Sequence, residues 1–123
     1  MNLNLEQTIL RNLLNDEKFM RKVLPFIKPD YFQGVYKTLF KEAGKYVAKY
    51  NKLPTSETLV IELQESSNIS DEQFTMAMEI IPLLFTGEKI DEKWLLDSTE
   101  KWCQDRAIYN AVMESISIKI GRA

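Results

Sequence analysis

The sequence predicts an all-α fold, a compact bundle of about six helices, and three observations carry that reading. Apolar residues recur at spacings of three and four almost throughout the 123 residues. No stretch alternates apolar and polar side chains with the Val, Ile and Thr content of a strand. Residues that start helices, Asp16, Thr55 or Ser56, Ser70 and Asp91, stand directly ahead of the periodic segments. With 45% hydrophobic and 28% charged residues the chain can build one buried core, and its length leaves no room for a second of useful size.

A first helix is expected from about Asn4 to Asn15, with Leu5, Ile9, Leu10, Leu13 and Leu14 on one flank. Asn15-Asp16 breaks it and caps a second, Glu17 to Phe26, whose inward residues are Phe19, Met20, Val23 and Leu24. Pro25 and Pro29 bracket its end, and Pro29-Asp30-Tyr31-Phe32 reads as a turn carrying two aromatic anchors. The clearest amphipathic segment runs from Val35 to Tyr50. Asn51-Lys52-Leu53-Pro54 ends it, and Thr55 or Ser56 caps a short helix to about Ser66. Ser70 with Gln73 gives a capping-box pattern for a helix to about Phe85, kinked in its last turn by Pro82. Thr86-Gly87-Glu88-Lys89 is a turn, and Asp91 caps a final helix reaching at least Ile118, about 40 Å long. The expected organisation is a helical head over 1–66 and an antiparallel helical hairpin over 70–118.

What is missing narrows the chemistry. The chain has no histidine and one cysteine, Cys103, so the usual zinc sets, Ser-His and Cys-His pairs and intrachain disulfides are excluded. Its four glycines form nothing like a GxxxxGK[ST] or GxGxxG phosphate loop. No carboxylate pair stands out for acid–base work, so no catalytic, cofactor-binding or metal-binding residue is assigned. The start MNLNLEQ lacks a secretory pattern and no apolar run approaches ~20 residues, so the chain reads as soluble and cytoplasmic.

Three features bear on function. First, Ser70 to Phe85 is apolar over roughly twice the arc that one core requires: Phe74, Ala77, Met78, Ile81, Leu84 and Phe85 lie on one side, Met76, Ile80 and Leu83 on another. Either the domain sandwiches this helix or one side meets another chain. The last helix adds a seven-residue seam of Leu95, Trp102, Tyr109 and Ile116, with Met113 beside it. The expected protein interface is therefore Met76, Ile80, Leu83, Leu95, Trp102, Tyr109, Met113 and Ile116. Arg106 falls within that seam and, if buried, should pair with a carboxylate.

Second, Lys37, Lys41, Lys45, Lys49 and Lys52 form a ladder on the outer face of the Val35 to Tyr50 helix. Residues 1–52 carry a net +5 and residues 53–123 a net −7. The ladder is either a solvated face or a contact for an acidic partner or nucleic-acid phosphates. Third, Ile116 to Ile120 is still apolar when Gly121-Arg122-Ala123 closes the sequence, which reads as the N-terminal part of something longer.

Taken in order, these segments resemble the N-terminal domain of the DnaB-type replicative DNA helicases, in their bacteriophage branch. The matching residues are Glu6-Gln7-Thr8-Ile9-Leu10 leading to Leu13-Leu14, then Ile27-Lys28-Pro29-Asp30-Tyr31-Phe32, then Leu39-Phe40, then Pro54-Thr55-Ser56, and finally Thr99 to Ile108 with its Glu100-Lys101 and Arg106. The segment Gln64 to Ile69 is tighter than in many bacterial members, and the family's linker and RecA-like ATPase motor are absent. The resemblance implies an assembly domain of a hexameric ring whose terminal hairpins make pairwise contacts between copies. It also implies contact with primase and with a helicase loader in the primosome, no catalysis by this chain, and ATP and Mg used only by the parent's motor; DNA would be met only indirectly. Two other readings remain at this point: the helicase-binding domain of a primase, and a small nucleic-acid-binding or loader-like adaptor using the lysines.

Overall fold

The computed structural model describes residues 3–121, with side chains described from 5 to 116. Six α-helices follow one another: α1 (Leu3–Asn15), α2 (Glu17–Val23), α3 (Gly34–Tyr50), α4 (Ser56–Glu65), α5 (Asp71–Leu84) and α6 (Glu92–Gly121). Two single turns of 3-10 helix, Leu24–Phe26 and Pro29–Tyr31, join α2 to α3. No strand occurs among the described residues.

Side-chain caps fix most of the helix starts. Asp16 accepts the Phe19 N–H at 3.0 Å, Ser70 accepts that of Gln73 at 3.1 Å, and Asp91 accepts that of Trp94 at 2.9 Å. The full capping box is at Thr55, whose hydroxyl accepts from Thr58 N–H while the Thr58 hydroxyl accepts from Thr55 N–H. At Ser70 the box is only half made, because the Gln73 side chain instead accepts from the Thr38 hydroxyl. Asn51 ends α3 in the left-handed region at φ +57° and donates its backbone N–H to Val47 O.

Several boundaries moved for identifiable reasons. The α-helix expected to reach Phe26 stops at Val23: Pro25 has no N–H to give Arg21 O, and the chain tightens into a 3-10 turn. In α5 Pro82 lies two residues before the end, and Phe85 is the C-cap just outside the helix. The turn after it is closed by Gly87 at φ +123°, where any Cβ would collide with the Arg11 guanidinium.

One core occupies the middle of the bundle, with Ile9, Leu10, Leu39, Leu59, Leu63, Ala77, Ile81 and Leu84 essentially sealed from solvent. Helix α5 packs against α1, α3 and α4, while α6 meets the body chiefly at Pro29–Tyr31. The last two helices are therefore not a self-standing hairpin beside a 1–66 head. Helix α5 is an inner member of the bundle, tied at its C-terminus by an Asn15 side-chain hydrogen bond to Leu84 O. Helix α6 lies across the Tyr31-Phe32 corner, where Trp102 packs on both rings with centroids 6.0 and 4.8 Å away. Arg106 Nε donates to Tyr31 O at 2.8 Å and Asn110 Nδ2 to Asp30 O at 3.0 Å, extending that attachment by two turns.

Candidate functional site

Along α6 the apolar stripe is longer than the body beneath it. Leu95 and Trp102 are buried within the chain's own core, so neither can meet a partner, and both leave the expected interface. Beyond Arg106 the same side of the helix continues as Tyr109, Met113 and Ile116, each about half exposed. Ile108, at 64% exposure, and Val112 join them. Residues at i, i+1, i+4, i+5 and i+8 share one helix face, so these five make a single apolar stripe, and the one charge between Ile108 and Ile116, Glu114, falls on the opposite side of the helix. Ile108 and Val112 escaped the heptad reading because it followed one position per seven; the i, i+4 repeat with Ile116 carries the signal.

The two-sided character of α5 has a clear outcome. Ala77, Ile81 and Leu84 are buried, with Phe74, Met78 and Phe85 packed at their edges. Met76 and Leu83 stay open at 44% and 51% exposure, with Ile80 half-covered between them. The chain covers one side of α5 and leaves the other bare.

A third apolar surface was not singled out in the sequence. An open groove of about 630 Å³ runs between α2 with its Leu24–Phe26 turn and the adjoining face of α6, lined by Val23, Phe26, Leu96, Thr99, Cys103 and Ala107 among others. Phe26 stands in its lining 72% exposed. Thr99 is buried and its hydroxyl has no hydrogen-bond partner. Burial pushes the Cys103 thiol up to about 11, which makes it a poor nucleophile at neutral pH. Among the described residues no cluster of His, Cys, Asp and Glu could hold a metal, and no helix is long and apolar enough to cross a membrane.

No family model matches the chain. Over 114 residues it is 31% identical to a DnaB-like replicative helicase of Enterobacteria phage T4, a match covering 92% of this chain and 24% of that protein. The chain is related to a DnaB-like helicase. It spans about a quarter of the length of this relative.

For a chain related to a helicase, the lysine ladder is the obvious place to look for phosphate contacts, and its charge is partly spent. Lys37 bridges Asp30 at 2.7 Å, and that hydrogen bond and charge hold the Asp30 carboxyl below its usual range. Lys45 lies 3.3 Å from the buried carboxylate of Glu42, and Lys49 sits 5.3 Å over the Tyr50 ring. Lys41 and Lys52 are exposed and make no ion pair among the described residues. Arg106 found a backbone carbonyl, Tyr31 O, and the Tyr109 ring at 5.1 Å rather than the carboxylate expected for it. Its charge does reach Glu6, whose carboxyl accepts the Gln33 N–H at 2.7 Å.

Proposed function

We propose that this chain is an assembly domain of a DnaB-like replicative helicase, joining copies of its parent into a hexameric ring through apolar surfaces and contacting primase during DNA replication. The observation that carries the reading is the pair of uncovered apolar faces, Ile108 to Ile116 on α6 and Met76, Ile80 and Leu83 on α5, on a chain related to such a helicase. In this role the chain makes and breaks no bonds. It keeps motor subunits at high effective concentration, so its contribution to unwinding is the stability of the ring. Primase and a helicase loader are the partners that the resemblance suggests, with ATP and Mg2+ confined to the motor.

Multi-angle light scattering on the chain and on Ile80→Glu and Tyr109→Glu tests this. A charge placed in a closed apolar contact is costly, so each variant should self-associate at least roughly tenfold more weakly at unchanged helical circular dichroism. A wild-type chain that remains a monomer at high concentration, or variants of unaltered mass, would overturn the proposal.

A further inference from the structure

The groove between α2 and α6 is a surface that the assembly reading leaves free, and its charges select what can fill it. At about 100° per residue, Leu96, Glu100, Cys103, Ala107 and Glu114 fall within an arc of about 60° on α6, so two carboxylates stand in line with the apolar wall. Glu100 lines the groove, and Glu114 follows on the same side of the helix, about four turns or roughly 21 Å further on. Both are exposed, and neither has an ion pair among the described residues. The neighbouring cations are already engaged. Lys22, on the α2 wall, pairs with Glu92 at 3.3 Å, while Lys93 and Lys101 pair with Asp97 and Asp105 at 3.0 and 3.4 Å. Lys18, one turn back on α2, is not part of the lining. We propose that the groove receives an amphipathic helix of another protein, whose apolar side chains enter between Phe26 and Cys103 and whose lysines or arginines meet Glu100 and Glu114.

Shape sets the occupant's form. The α6 wall presents Leu96, Glu100, Cys103 and Ala107 at i, i+4, i+7 and i+11, the spacing that a helix laid alongside another meets with its own i, i+3 and i+4 side chains. A cleft of about 630 Å³ has room for a row of such side chains, and Phe26, 72% exposed in the lining, is a large ring with no cover from its own chain. Charge sets the occupant's identity. The bare face of α5, Met76, Ile80 and Leu83, is bordered by Glu72 and Glu79, and residues 53–88 contain no Lys or Arg at all. Set into the groove of another copy, that face would bring carboxylates to carboxylates. The stripe from Ile108 to Ile116 holds no cation either, so it would leave Glu100 unpaired. A basic helix from a different protein satisfies both carboxylates while covering the same apolar wall, and like-charge repulsion excludes acidic competitors from the site.

The test uses the full 123-residue chain and two helix-stapled peptides of about 20 residues that share one leucine face, bordered by lysines in one and by glutamates in the other. By fluorescence anisotropy at moderate salt, the lysine peptide should bind roughly tenfold more tightly than the glutamate peptide. Glu100→Gln with Glu114→Gln should weaken the lysine peptide about threefold or more, and Glu100→Lys with Glu114→Lys should reverse the preference. Both positions are exposed, so helical circular dichroism should not change. Glu72→Gln with Glu79→Gln should leave binding as it is, and the peptide should shift the amide NMR signals of Val23, Phe26 and Cys103. Absence of binding, or a lysine preference that survives the double reversal, would overturn the proposal. So would binding lost in the Glu72 and Glu79 variant, which would seat the peptide on α5, or peptide displaced as the chain's own concentration rises, which would give the groove to a second copy. None of these outcomes alters the light-scattering result on which the assembly reading stands or falls.

Discussion

Glu6 shows how one side chain couples the core to pH. It sits on α1 facing the start of α3, accepts the Gln33 N–H, and is almost fully buried. Burial raises its carboxyl above the ordinary value of 4.5, and the Gln33 hydrogen bond and the Arg106 charge only partly offset that. The folded chain therefore binds this proton more tightly than the unfolded chain. The stabilisation is fully present below pH 4.5 and is lost as pH rises through the higher folded value. A glutamine amide keeps an oxygen for the Gln33 N–H and carries no charge. Glu6→Gln should thus remove this part of the pH dependence and leave the chain up to about 1 kcal/mol more stable at pH 7. Urea denaturation of both proteins from pH 4 to pH 7 checks it; a wild-type advantage that grew with pH would contradict the account.

Helix α6 depends heavily on its first turns, because it is attached to the body by the Leu95–Trp102 side, the Lys22–Glu92 ion pair and the Tyr31 corner. Removing its N-cap with Asp91→Ala should cost about 1 kcal/mol and lower Tm by roughly 4 °C, while Asp91→Asn, which can still accept the Trp94 N–H, should keep most of the loss from appearing. Thermal melts of the three proteins decide between a cap and a bystander. At this scale the sequence was readable wherever the physics is local. Asp16, Ser70 and Asp91 cap the helices they were expected to cap, Thr55 is the one of the Thr55-Ser56 pair that caps α4, and the periodicity of Leu39, Phe40 and Ala43 names a buried face. Partnership between elements was not readable in the same way. A heptad of Leu95, Trp102, Tyr109 and Ile116 states that one side of α6 is apolar, yet not where the supporting body stops, and only its first half is covered. Likewise the broad apolar arc of α5 requires a neighbour on the inner side without saying that α1, α3 and α4 supply it instead of α6. The groove stayed hidden because its walls, Val23 with Phe26 and Thr99 with Cys103, come from segments about 75 residues apart.

Across the whole molecule the charge is polarised while the open contacts are apolar, and these two properties make separable predictions. The lysines on the outer face of α3 line neither the stripe nor the groove. Lys45 must be left in place in any test, because it is the cation beside the buried Glu42 carboxylate and its loss would strand that charge. Replacing Lys41, Lys49 and Lys52 together by Ser should therefore leave the mass measured by light scattering unchanged. The same variant tests the competing use of that face. If the ladder were a phosphate-binding site, wild type would bind labelled single-stranded DNA with an affinity falling steeply between 50 and 200 mM salt, and the triple variant would lose most of it. Two of the five ladder cations are already engaged by Asp30 and Glu42, and the chain as a whole carries net −2, so the expected result is weak binding that the substitutions barely alter. Tight, salt-sensitive binding abolished by the triple change would make nucleic acid the partner of this face and reduce assembly to a secondary role. Loss of assembly in the triple variant would instead move the contact between copies from the end of α6 to α3.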